Sequence, residues 1–253
     1  MSPLRTAALA LGASAAILLF WMVNPWVTVP EGINGVVTLA FWAIALALVI
    51  VLYVEARRDP QAGEVEIEGP RFARFLFSNS RASMVWLPIR LFVGFAWLEA
   101  GWHKATGSGW LDGGSALAGY WKAAAAVPEG GRPPITYEWY RDFISMLLGG
   151  HHETWFAPLI VTGEILVGLG LIFGALTGIA AFFGAFMNMS FLLAGSASTN
   201  PIMFSLAIGL IMAWKVAGYY GADRWLLPRL GTPWRPATGP RHERDREMRP
   251  EPG

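Results

Sequence analysis

Long apolar runs alternate with shorter polar ones along the chain. A helix rises about 1.5 Å per residue, so about 20 apolar residues match the hydrocarbon thickness of a bilayer. Such runs lie at roughly Arg5–Val23, Asn34–Val54, Val85–His103, Phe156–Gly174, Gly178–Ala194 and Pro201–Tyr220. No stretch supports the two-residue alternation of a strand. The pattern predicts an all-α integral membrane protein with six transmembrane helices. A cleaved leader is the alternative reading of the first run.

The polar segments divide the chain. Residues 1–55 read as an N-terminal two-helix membrane segment and 56–83 as a polar linker with "EVEIEG" at its centre. Residues 84–230 form a four-helix membrane domain, whose segment 105–155 is too long for a simple turn. Within it, Ser115–Val127 and Thr136–Gly149 read as two helices lying at the interface, since Tyr137, Trp139, Tyr140 and Phe143 suit the headgroup zone. This segment is expected to cap the outer face. The tail, 231–253, is rich in Pro, Arg and Glu and is expected to be disordered.

Charge then sets the orientation. Arg57, Arg58, Arg71, Arg74 and Arg81 lie between the second and third runs. Arg224, Arg229, Arg235, Arg241, Arg244, Arg246 and Arg249 follow the sixth, and Arg5 opens the first. Six crossings put all three groups on one side, which the positive-inside rule makes cytoplasmic. A plasma-membrane protein with both termini inside is expected.

Composition agrees with the apolar pattern. Hydrophobic residues make up 54% of the 253-residue chain and charged residues 15%, against about a quarter in a soluble domain. The net charge of +1 calls for no nucleic acid. The absence of cysteine excludes disulfides, cysteine-ligated iron–sulfur clusters and a thiol relay within this chain. No dinucleotide fingerprint or P-loop is present. His151 and His152 are adjacent and diverge, and His242 lies in the tail, so no bound metal, flavin or haem is expected.

Candidate chemistry starts in "RLFVGFAWLEAGWHK" (Arg90–Lys104), which keeps ionisable groups inside an apolar run. Arg90, Gly94, Trp97, Gly101 and Lys104 share one helical face. Arg90 and Lys104 lie near opposite ends, where long side chains can snorkel to the surface. Glu99 is deeper and shorter, with His103 one turn away. An ionised carboxylate in hydrocarbon is costly, so Glu99 is expected to be paired, protonated or beside water. Glu164 lies about 10 Å inside the fourth run by helical rise. Ala180, Gly184 and Asn188 are spaced by four on the fifth, and Ser205, Gly209, Ala213 and Ala217 form a small-residue stripe on the sixth. Glu99, His103, Glu164, Asn188 and Ser205 are expected to meet in the outer half of the bilayer. A polar network that only holds the helices together is the competing reading.

The same residues carry a resemblance. "RLFVGFAWLEAGWHK" resembles the first core helix of the DoxX-like membrane proteins, and "GEILVGLGLIFGALTGIAAFFG" their second and third. "STNPIMFSLAIGLIMAW" and "GYYGADRWLLPRLG" are similar to the closing helix of the DoxD-type branch. The resemblance covers about Val85–Leu230 and leaves the first two runs as an added pair. It implies a subunit of a thiosulfate:quinone oxidoreductase, working with a DoxA-like or other redox partner. Arg90, Lys104 and Glu164 match recurrent polar positions of the family.

Three functions compete at this stage. In a redox subunit, a quinone headgroup lies between the core helices. His103 and Lys104 donate hydrogen bonds there, and Glu99 and Glu164 relay protons. These make Glu99, His103 and Glu164 the catalytic candidates, with Arg90, Lys104, Asn188 and Ser205 as binding candidates. A non-enzymatic scaffold of an oxidative-stress or sulfur-metabolism complex is the second reading. A small-solute carrier is the third.

Overall fold

The computed structural model describes residues 3–23, 33–58 and 70–232. Among the described residues the chain is helical throughout, with no strand. The order is α1 (Pro3–Val23), α2 (Ile33–Arg58), α3 (Arg71–Ser78), a 3-10 turn (Ser80–Ala82), α4 (Ser83–Thr106), α5 (Ser115–Ala125), α6 (Glu138–Gly149), α7 (Glu153–Phe173), α8 (Thr177–Leu193), α9 (Asn200–Met212), α10 (Trp214–Ala217) and α11 (Asp223–Arg229).

Among the described residues, three helical stretches are long and apolar enough to cross a membrane: Gly35–Glu55, Ser80–Thr106 and Glu153–Phe173. Thr6–Met22, Thr177–Leu193 and Asn200–Met212 are apolar but shorter. Large apolar side chains cover the outside, among them Phe92, Phe95, Leu159, Leu166, Phe182 and Phe186. An aqueous surface rarely carries so continuous an apolar coat. The helices satisfy their own backbone, which is what a hydrocarbon surrounding requires.

The central unit is the antiparallel pair α4–α7, which packs more extensively than any other pair. Glycines make that approach possible. A Cβ on Gly168 would lie 2.6 Å from the backbone nitrogen of Leu98, and one on Gly101 would lie 2.8 Å from Ile165 Cγ1. Helices this close gain dispersion contacts along their whole length, the main attraction between helices in lipid. α8 and α9 complete the bundle. Its core joins Trp86, Val93 and Trp97 of α4 to Val167, Leu171, Ala181 and Leu210. A second core lies under α5 and α6, where Leu117, Trp121, Ile135 and Ile144 pack over Ala157 and Ala194. The cap helices expected from sequence are therefore present and anchored on the ends of α7 and α8. α1 and α2 pair with each other, and α2 also touches α6.

Two expectations need correction. The sixth apolar run is not one helix: it ends at Met212 and resumes as α10 after Ala213. Trp214 packs directly on Gly178, where a Cβ would meet its own Cβ at 2.6 Å. The linker is also not merely polar. It contains α3, whose Leu76 and Phe77 pack on the core. Trp86 Nε1 donates to Leu76 O at 2.8 Å, and its ring stacks on Phe77 at 5.8 Å. "RFARFLFS" places Arg71 and Arg74 among aromatic residues, a composition suited to a helix lying at an interface. The "EVEIEG" stretch and the tail from residue 233 onward, with Arg235, Arg241, Arg244, Arg246 and Arg249, lie outside the described residues.

Candidate functional site

The face shared by Arg90, Gly94, Trp97, Gly101 and Lys104 is the buried face of α4. Arg90, Gly94, Trp97 and Gly101 are buried, and the Lys104 side chain is 21% exposed. Neither cation snorkels. Each turns inward at its own end of the bundle, and two separate polar sites result.

At the end where α4 begins, Arg90 is 1% exposed. Its Nη2 donates to Tyr220 O at 3.1 Å, while Nε and Nη1 have no partner among the described residues. Gly174, in the left-handed conformation with φ 62°, ends α7. A Cβ there would overlap the Arg90 guanidinium, and one on Gly221 would lie 2.6 Å from Nη1. Asp223 lies near enough for its charge to act on Arg90. Its carboxylate accepts from Leu176 N at 2.6 Å and Thr177 N at 2.9 Å, at the start of α8. A carboxylate suits a helix N-terminus, where backbone N–H groups lack partners and carry partial positive charge. The sequence reading missed Asp223. The available signal was that α8 opens at Leu176–Thr177 with no capping side chain of its own, so its N–H groups had to be satisfied from elsewhere.

At the opposite end lies the second site. Glu164 is fully buried, and Lys104 Nζ donates to both of its oxygens at 2.9 and 2.8 Å. The same ammonium lies 5.2 Å from the centre of the Trp110 ring, a cation–π contact. Asn188 is 1% exposed, and neither atom of its amide has a partner among the described residues. Trp97 Nε1 is equally unpartnered. Gly184 stands against both Trp97 and Val167. Asn188 lies one turn further along α8, and Glu164 packs against Gly101. The α4–α7–α8 interior at this end therefore holds a buried ion pair, together with an amide and, about one turn away, an indole N–H that have no partner among the described residues. A buried polar group left without a partner costs about 1–3 kcal/mol.

The expected convergence of five polar residues is only partly met. Glu164 and Asn188 are both buried in the bundle, and Lys104 pairs with Glu164. Glu99 and His103 do not join them: their side chains are 75% and 76% exposed, 3.8 Å apart on the far side of α4. The reason is helical phase. Glu99 is two residues from both Trp97 and Gly101, so burying that stripe turns Glu99 outward. Ser205 is also exposed, and its hydroxyl donates back to Pro201 O at 2.8 Å. The buried face of α9 runs instead through Met203, Ala207 and Leu210. Ala213 and Ala217 of the expected stripe are buried, but Ser205 does not continue it.

Between α7 and α8 runs an apolar groove of about 580 Å³, lined by Leu159, Gly163, Leu166, Val167, Phe183 and Met187 among others. A smaller cavity of about 150 Å³ lies under the cap and shares Phe156, Ile160, Phe186 and Met187 with that groove. The cap is fixed by Tyr140, whose hydroxyl donates to Ser190 O at 3.0 Å. Burial, and then the neighbouring Tyr120, push the Tyr140 phenol up to about 12. Burial raises Tyr120 as well, and Ser196 is its polar neighbour. The adjacent histidines diverge. His151 Nδ1 lies 3.3 Å from Glu153 Oε1, whereas His152 Nδ1 accepts from Trp155 Nε1 at 3.2 Å.

Comparison of the chain with protein-family models, curated proteins and solved structures finds no match.

Proposed function

We propose that this chain is a six-span plasma-membrane subunit of a redox complex, DoxX-like in its last four spans, with both termini cytoplasmic. In this reading its α4–α7–α8 interior holds the headgroup of a membrane quinone. The observation that carries the reading is Asn188, a buried amide with no partner among the described residues, in the same bundle interior as the Lys104–Glu164 pair. A quinone carbonyl is an acceptor that fits the Asn188 N–H₂ and the Trp97 N–H. Its apolar tail fits a groove walled by Val167 and Met187 and facing the lipid side. Quinone, when bound, supplies the electron-accepting chemistry. The residues orient its carbonyl, exclude water, and hold a proton between Lys104 Nζ and Glu164. Arg90 is reassigned in this reading to holding the opposite end of the bundle. The thiosulfate substrate and the DoxA-like partner rest on the resemblance alone.

The orientation has its own support. α3, α10, α11 and the α7–α8 turn lie at the end where α4 starts, and bring Arg71, Arg74, Arg81, Arg224 and Arg229 there. α9 alone rises about 20 Å, so α10 is needed to complete the sixth crossing.

A second reading, the non-enzymatic scaffold, is favoured by one feature: Lys104 already occupies both oxygens of Glu164. Equilibrium binding of a short-tailed quinone to the purified protein separates the two. Saturable binding that Asn188→Leu weakens at least tenfold, and Glu164→Gln weakens without unfolding the chain, supports the redox reading. No saturable binding, with or without a co-purified partner, leaves the scaffold.

A further inference from the structure

Leu159, Leu166 and Phe173, all exposed on α7, mark the band of the bundle that faces hydrocarbon. α4 runs antiparallel to α7, and the contacts of Gly94 with Ile172, Gly168 with Leu98, and Gly101 with Ile165 fix the register. Extending that register sets Glu99 level with Val167, next to Leu166, and His103 level with Gly163. Glu99 is thus about 12 Å below Leu159 by helical rise. It sits in the middle of the apolar band, beyond the reach of a short carboxylate to water. Yet Glu99 and His103 are the exposed side chains described above. Ionisable groups at such depth almost always face protein.

The rest of that face is patterned. Pro88, Phe92, Phe95, Glu99, Trp102 and Thr106 are all exposed. Their spacing of four, three, four, three, four is the 3.5-residue period of a helix–helix seam.

We propose that this face of α4 is the contact with a second copy of the chain, the two α4 helices lying parallel about a two-fold axis along the membrane normal. A two-fold contact presents one patch twice, so the patch must complement itself. This one does. Each copy offers a carboxylate acceptor at Glu99 and an imidazole N–H at His103 one turn away. Each carboxylate then meets the imidazole of the other copy, and Phe95 and Trp102 exclude lipid around the pair. The proposal rests on the membrane-embedded reading above, but not on quinone binding.

The natural chain has no cysteine, so single-cysteine variants of the full chain report cleanly. In native membranes, Phe95→Cys should cross-link to a species of twice the chain mass. Leu166→Cys, on the opposite lipid face, should stay monomeric and resist a membrane-impermeant maleimide. Labelling of Leu166→Cys would remove the membrane premise and the proposal with it. An unlabelled Leu166→Cys with no Phe95→Cys dimer, or with a cross-link to a chain of different mass, would remove the proposal alone. The pairing is tested by exchange. Glu99→His should raise the dimer dissociation constant in detergent at least tenfold, and Glu99→His with His103→Glu should restore it. Equal loss in both would refute the contact.

Discussion

Glu99 and Glu164 sit on neighbouring helices, about one turn apart in height, in equally apolar sequence. One is completely buried and the other three-quarters exposed. Glu164 lies against Gly101, whose missing side chain lets α4 close over it, and Lys104 of the same buried stripe reaches both oxygens. Glu99 lies on the reverse of that stripe with exposed Phe95 and Trp102, and its carboxylate is 3.8 Å from His103. What separates them is not local composition but the direction each faces once the glycines have chosen a packing surface. Position along an apolar helix alone does not show which way an acidic residue faces.

The largest expected difference comes from Lys104. Lys104→Met leaves Glu164 buried without its donor, and breaking a buried pair typically costs about 3–5 kcal/mol. Partial exposure of Lys104 pulls the value toward the lower end. Adding Glu164→Gln should recover much of the loss. Thermal unfolding in detergent measures both, and an unchanged midpoint for Lys104→Met would place the two glutamates on an equal footing.

Gly168→Leu should follow. Its first side-chain atom would meet the backbone of Leu98, which cannot rotate away. Overpacking costs about 1–3 kcal/mol, and this site belongs near the top of that range. The same measurement applies, and Glu164 should become accessible as α4 lifts from α7. A neutral result would show that the α4–α7 approach is looser than the glycines imply.

Alkali tests whether the cap seals the Glu164 side. The Tyr140 phenol is held at about 12 in the folded chain, against an ordinary value of 10.0. The folded state therefore keeps its proton where the unfolded state loses it. The stabilisation is complete below pH 10 and falls away as pH rises from there toward about 12, by an amount on the order of 2 kcal/mol. Cap tryptophan fluorescence should change over that window in the natural protein, and Tyr140→Phe should flatten this component. A pH-independent cap would show that Tyr140 does not fasten it.

Glu99→Gln should have the smallest effect on the isolated monomer, within about 0.5 kcal/mol, as for most exposed positions. A loss comparable to that of Lys104→Met, seen in dispersed monomer, would erase the contrast between the two glutamates.

The sequence alone marked most of the helices, though not α3 or the break at Ala213, and the reason is local. A chain that must satisfy its backbone in hydrocarbon has few choices, and run length, turn residues and the aromatic residues of the cap mark most of the long helices. The stripes Arg90–Gly94–Trp97–Gly101 on α4 and Ala180–Gly184–Asn188 on α8 were legible for the same reason, since small residues at helical spacing define a contact face before any partner is known. The tertiary structure decided what those faces meet. Only the packed bundle turns Lys104 onto Glu164, sends Glu99 and His103 to the outside, and breaks the sixth apolar run at Ala213. Only a third element, arriving more than forty residues later in the chain, brings Asp223 to the bare N-terminus of α8. A helix specifies the phase of its own side chains. Which phase is inside depends on where a neighbouring backbone can approach, and that is fixed by glycines on another segment.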